Sequence, residues 1–200
     1  MPFPDVVAIA SRNPGKIREI RSVCAAWPVR WLTAEDAPHP WPEVEETGAT
    51  YLENARLKAR AVAAALGVPG LADDSGIEVD GLDGAPGPRS ARFAGEDATD
   101  RENLDRLVDA VAGLPPNRRS ARYRCVAVLA WPDGRELSGE GTCEGTLVDE
   151  PRGTGGFGYD PIFVPAGMTR TMAELSAEEK DRISHRGKAL RALEARLRGP

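Results

Sequence analysis

A chain of 200 residues, 41% hydrophobic and 28% charged, is long enough for one soluble domain with a real core. Its net charge of −5 argues against polyanionic nucleic acid as a partner, but a small phosphorylated ligand needs only a local positive cluster. No apolar run is long enough to span a bilayer, and the opening "MPFPDVVAIASRNPGK" lacks the basic start and apolar core of a signal peptide.

"DVVAIA" (5–10) reads as a buried strand. "SRNPGK" is then a sharp turn, and from Lys16 to about Ala26 a helix is expected with Ile17, Ile20, Val23 and Cys24 on one stripe. Pro28 closes it. A loop with Pro38, Pro40 and Pro42 follows and ends in Glu43, Glu45 and Glu46. "TYLENARLKARAVAAALG" is the clearest helix: Thr50 and Glu53 form a capping box, and Gly67 stands where a C-terminal cap belongs. "GLADDSGIEVDGL" reads as two short strand segments broken by an acidic turn at Asp73, Asp74, Ser75 and Gly76. The stretch from Asp83 to Gly95 is too rich in Gly and Pro for regular structure and could hinge two lobes.

Thr99 and Glu102 make a second capping box, opening a helix that bears Leu104, Leu107, Val108 and Val111. "ARYRCVAVLAW" and "RELSGEGTCEGTLV" read as a hairpin around the Pro132–Gly134 turn. "GTGGFGYDPIFVP" is a glycine loop running into a short strand. The tail is helical, opened by a third box (Ser176, Glu179), with a break near Ser184. Alternating strands and helices followed by a hairpin predict an α/β fold with a mixed sheet. The odd count of cysteines (Cys24, Cys125, Cys143) with no metal-type spacing predicts thiols in a reducing cytoplasm.

Several segments carry chemistry. In "SRNPGK" a strand-turn-helix unit aims backbone N–H groups at the turn, which favours an anion. Gly15 permits close approach, and Lys16 places a cation against the helix dipole, which a bound phosphate would explain. A plain surface turn with a solvated lysine fits the same residues. A Walker A loop does not, because Ala10 and Ile17 stand where its first glycine and its hydroxyl belong. "RGTGGFG" satisfies G-x-G-x-x-G but lies late in the chain and cannot open the helix that a dinucleotide fold requires. "DSG" occurs once, whereas an aspartic protease needs two facing copies. Glu45, Glu46, Asp73 and Asp74, if brought together, would crowd like charges unless a cation such as Mg²⁺ neutralised them. His39, between two prolines, shows no evident chemistry.

Taken jointly, "SRNPGKIREI", "EETGATYLENARLKA", "LADDSGIEVDGLDGAPGPRSARFAGEDATD", "GTGGFGYDPIF" and "AELSAEEKDRISHRGKAL" resemble the inosine/xanthosine triphosphate pyrophosphatases, in that family's order and over nearly the whole chain. The resemblance implies one pyrophosphatase domain over 1–200: an elongated mixed β-sheet flanked by helices, two lobes, a central nucleotide cleft, and usually a homodimer. It implies Mg²⁺-dependent cleavage of ITP, dITP, XTP or dXTP to monophosphate and pyrophosphate. The first loop (Ser11, Arg12, Asn13, Pro14, Gly15, Lys16) would hold phosphate, although Arg12 and Pro14 depart from the family's smaller residues. Glu45 and Asp74 would bind metal, with Glu46 and Asp73 alongside. Asp74 would be the general base and Ser75 a substrate contact. Phe157, Gly158, Tyr159 and Asp160 would embrace base and sugar, Lys180 phosphate, and His185 and Arg186 the purine. Related pyrophosphatases for modified pyrimidine or N7-methylated guanine nucleotides, or a nucleotide-binding regulator without turnover, are the alternatives.

Overall fold

The computed structural model describes residues 3–36 and 41–199, so the expectations for Pro38, His39 and Pro40 lie outside it. Six strands form one sheet: β1 (Val6–Ile9), β2 (Arg30–Leu32), β3 (Gly70–Val79), β4 (Ser120–Ala130), β5 (Glu136–Leu147) and β6 (Phe163–Pro165), in the order β2-β1-β3-β4-β5-β6. β1 pairs in parallel with β2 and β3, whereas β5 and β6 are antiparallel, so the sheet is mixed as expected. Both edge strands have three residues, and Pro165, which cannot donate to a ladder, sits on one of them. The helices are α1 (Pro14–Val23), α2 (Tyr51–Leu66), α3 (Asp100–Ala112), α4 (Ala177–Ile183) and α5 (His185–Arg198). The three sequence-read capping boxes are present at Thr50, Thr99 and Ser176, and Ser184 caps α4 where the break was expected.

Two expectations need correction. No acidic turn divides β3; it is a single ten-residue strand that runs straight through Asp73 and Asp74. β2, Arg-Trp-Leu, is too short to show a period and was not anticipated. The Gly/Pro-rich stretch also holds a short 3-10 helix, Gly87–Arg92.

The chain divides into two compact units, passing from one to the other and back twice. The first comprises residues 1–74, 125–141 and 185–200. β1, the first half of β3 and the second half of β4 are buried on both faces, whereas β2 and the start of β5 are partly exposed. Val7, Ile9, Leu71, Cys125 and Leu129 pack with Ile20 of α1, with Cys24 at its C-terminal cap, and with Leu190 and Leu193 of α5. The intervening residues Ala8, Ala72, Val126 and Val128 pack with Tyr51, Ala55, Ala59 and Val62 of α2. This period of two decides where each aspartate of β3 points.

The second unit comprises 75–124 and 142–184. Its single core joins Ile77 and Val79 to Leu104, Leu107 and Val111 of α3, and Tyr123 to Phe163, whose rings lie 4.7 Å apart. Leu107 is fully buried there. Leu107→Ala should cost about 2–5 kcal/mol in urea unfolding, whereas Leu57→Ala, at a 39% exposed position on α2, should change stability by less than about 0.5 kcal/mol.

Candidate active site

The first unit gathers charge on both faces of β3. Asp73 shares the face of Leu71, toward α1 and α5; Asp74 shares the face of Ala72, toward α2. Asp73 Oδ2 accepts from Arg186 Nε (3.1 Å) and Nη2 (2.9 Å), and Lys16 Nζ lies 3.4 Å from it. Arg186 Nη1 also donates to Glu19 of α1. Burial alone would raise the pKa of Asp73, but Arg186, Lys16 and Lys58 outweigh it and hold the carboxyl well below its usual range. Arg186, 2% exposed, stays charged because Asp73 and Glu19 offset its burial.

Asp74 has the opposite balance. Its Oδ2 accepts from Asn54 Nδ2 (3.3 Å) and its Oδ1 from Lys58 Nζ (3.2 Å). Burial pushes its pKa up, Lys58 and Lys16 only partly offset that, and Glu46 adds to the rise. Lys58 also donates to Glu46 Oε1 at 2.6 Å, so one ammonium bridges two carboxylates. Burial works against the charge on Lys58, but Asp74, Glu46 and Asp73 raise its pKa and keep it protonated.

Helix α1 begins at Pro14, two residues before the start expected at Lys16, and the turn before it supplies its cap. Ser11 Oγ accepts from the Asn13 N–H (3.2 Å), and Asn13 caps α1 by accepting from the Lys16 N–H (3.1 Å). Pro14 fills the first helical position, where no N–H is required, and Gly15 is buried behind it. Arg12 donates to Glu43 (3.1 Å) and to the Trp41 carbonyl (3.3 Å). Lys16 points at Asp73, which gives its charge a local reason that the sequence had left to phosphate.

From Pro42 to Gly48 burial alternates, with even positions inward. The structure turns Glu46 toward Lys58 and Asp74 and leaves Glu45, which the resemblance put first, exposed. Asp73 is committed to Arg186 and Lys16, which leaves Glu46 and Asp74 as the two carboxylates that share a cation. Sequence reasoning missed Asn54, Lys58 and Glu19. The first two lie four residues apart on α2, Asn54 buried and Lys58 half-buried, and a buried polar residue on the apolar face was the available signal. His185 is buried at the start of α5, and Ser75 is half-buried on β3.

The second unit carries the glycine loop. Asp160 Oδ2 accepts from the Phe157 N–H (2.9 Å) and from Lys180 Nζ (2.5 Å), and Tyr123 Oη donates to Oδ1 (3.4 Å). Lys180 Nζ lies 4.8 Å from the Phe157 ring centroid, a cation–π contact. At Gly156, with φ of +70°, a Cβ would run into the Asp160 carboxylate. Tyr159 donates to the Ser90 carbonyl at 2.7 Å. Lys180, expected on phosphate, is thus paired with Asp160 and stacked on Phe157.

A mixed α/β sheet with a buried aspartate of raised pKa beside the Lys58 ammonium has chemistry suited to an anion and to proton transfer next to it. The chain belongs to the Ham1 family, whose sequence pattern matches residues 7–196. It is 54% identical to a dITP/XTP pyrophosphatase of Streptomyces coelicolor over 187 residues, 92% of this chain and 93% of that protein. It is 46% identical to one of Geobacter sulfurreducens over 96% of each chain. Among solved structures, the HAM1 protein of Coxiella burnetii superposes with a TM-score of 0.85 at 39% identity, covering 98% of this chain and 99% of its own. The Mycobacterium abscessus nucleoside-triphosphatase / dITP/XTP pyrophosphatase gives a TM-score of 0.74 at 43% identity, over 94% and 98%.

The adjacent aspartates should respond oppositely to neutralisation. Asp73, with its pKa depressed on folding, contributes stability at every pH above the ordinary carboxylate range, lost only as pH falls through its folded value. Asp74, with its pKa raised, costs stability when ionised, and that cost vanishes as pH falls through the raised value. In urea at pH 7, Asp73→Asn should lose about 3–5 kcal/mol by stranding Arg186, whereas Asp74→Asn should stay within about 1 kcal/mol of the parent or exceed it.

Proposed function

We propose that this chain hydrolyses non-standard purine nucleoside triphosphates, those of inosine and xanthosine and their deoxy forms, to the monophosphate and pyrophosphate. The observation that carries the proposal is Asp74: a buried carboxylate with a raised pKa, flanked by Lys58 and Glu46, on a strand whose preceding residue anchors Lys16. The family and the names of its close relatives support the substrate class.

In this reading the attacking water gives its proton to Asp74, the bond between the α-phosphorus and the bridging oxygen breaks, and pyrophosphate leaves with that oxygen. The raised pKa brings Asp74 closer to neutrality than an ordinary aspartate, which suits a general base. Lys16 and Lys58 offset charge on the triphosphate. Ser11, Asn13 and Gly15 shape the phosphate loop, which Arg12 and Pro14 serve structurally. Ser75 contacts substrate.

A divalent cation, Mg²⁺ by the chemistry of the donors, fits this group. Glu46 and Asp74 already share one cation, the Lys58 ammonium. Among the described residues no group of three or more His, Cys, Asp or Glu is placed to cage a metal. Two carboxylates with the remaining shell left to phosphate and water is how Mg²⁺ is usually held. Bound there, it would polarise phosphate oxygens and lower the pKa of water. Phe157 offers stacking that is largely indifferent to the base, with Gly158, Tyr159 and Asp160 completing the loop. His185 and Arg186 address the purine, Arg186 oriented by Asp73 and Glu19.

The two units act as one pyrophosphatase domain over 1–200, in a homodimer. A reducing cytoplasm suits its three buried thiols, and no helix among the described residues is long and apolar enough to cross a membrane.

Pyrophosphate release should proceed with ITP and XTP far faster than with ATP, and only with a divalent cation. Asp74→Asn should lower kcat by about 10²–10⁴-fold while the protein stays folded. Background release from every purine triphosphate, with metal present, would overturn the reading.

A further inference from the structure

Three consecutive residues of the glycine loop are held from three directions. Phe157 N–H goes to Asp160, Tyr159 Oη goes to Ser90, and between them the Gly158 N–H donates to Asp100 Oδ2 at 3.3 Å. Asp100 is the first residue of α3, 58 positions earlier in the chain. Nothing in the proposed chemistry uses it. An acidic residue at a helix N-terminus is ordinarily explained by the dipole. Here the helix start is already served: Thr99 and Glu102 complete a capping box, with the Glu102 N–H donating to Thr99 Oγ1 at 3.2 Å and the Thr99 N–H to Glu102 Oε2 at 2.7 Å. The Asp100 carboxylate reaches out of its own helix. It also lies close enough to Tyr159 to add to the rise that burial imposes on that phenol.

Gly158 has φ of +59°, a left-handed conformation, and a Cβ there would meet nothing within 4 Å. Space therefore does not require glycine; the backbone conformation does. A left-handed glycine between two anchored aromatic residues is the point at which the loop is freest to change shape, and Asp100 ties down that peptide.

We propose that Asp100 is a positioning residue: by accepting the Gly158 N–H it fixes the peptide between Phe157 and Tyr159 and so presets the aromatic surface for a purine base. The inference rests on the reading of this loop as base-binding. Preset geometry spares the ligand the cost of ordering the loop, so its loss appears in binding rather than in the chemical step.

The test compares wild type, Asp100→Ala and Asp100→Asn, with steady-state pyrophosphate release from ITP and amide hydrogen exchange at Gly158. Asp100→Ala should raise KM about three- to ten-fold, the worth of one hydrogen bond, with kcat within about two-fold of wild type. Exchange at Gly158 should quicken. Asp100→Asn should restore both, because its side-chain carbonyl still accepts; a dipole role would be lost with the charge and not rescued. Unchanged or lower KM in Asp100→Ala, or failure of Asn to rescue, overturns the proposal. If wild type releases no pyrophosphate, the functional reading fails on its own, and unchanged Gly158 exchange in Asp100→Ala still refutes the loop contact.

Discussion

A guanidinium with almost no exposed surface cannot remain charged in an apolar interior without partners, and Arg186 finds them in Asp73 and Glu19. Asp73 takes two of its N–H groups and Glu19 a third. The pairing joins the centre of the sheet to the start of α5 and the middle of α1. It also draws Lys16 to the same carboxylate. The polar interior of the first unit is organised around this one compensated charge. Its worth lies less in net stability than in fixing where three elements meet, since removing either carboxylate strands a buried cation.

That anchor lets Asp74 behave differently from its neighbour. Successive residues of a strand face opposite ways, so Asp73 meets α1 and α5 while Asp74 meets α2. One aspartate is paired through Oδ2 with two cations and held ionised. The other is buried with a single ammonium, itself shared with Glu46, and holds its proton more tightly than usual. Two identical side chains in adjacent positions thereby acquire opposite properties, and the one with the raised pKa is the one suited to accept a proton. Asn54 reinforces the division by spanning from the Gly48 N–H to Asp74, which ties the acidic loop to the strand.

The second unit solves a different problem. A loop with four glycines among residues 153–158 would be floppy in isolation, and its order comes from side chains outside the repeat. Asp160 folds back onto the Phe157 N–H, Lys180 of α4 neutralises Asp160 and covers the Phe157 ring, and Tyr159 reaches Ser90. The glycines make room for these contacts, most clearly at Gly156, where any side chain would collide with the Asp160 carboxylate.

Much of this was written locally. Capping boxes at Thr50, Thr99 and Ser176, the hairpin around Pro132–Gly134 and the helix break at Ser184 depend on residues a few positions apart, and those short-range signals survived folding. The five motifs likewise pointed to the family from order and residue type alone. What stayed hidden depended on partners far along the chain. Asp73-Asp74 looked like a turn because two acidic residues inside a buried strand make sense only once Arg186, 113 residues later, and Lys58 are in place. The resemblance put Glu45 ahead of Glu46, and only the alternation of burial along the loop shows that Glu46 is the one turned inward. Lys58, Asn54 and Glu19 read as ordinary helix residues. The sequence by itself determined the helices with their caps, the long hairpin, the family and the residue types at the site, because propensity and capping act over a few residues. Which carboxylate meets which cation was decided by tertiary structure alone, because electrostatic compensation of buried charge acts through space.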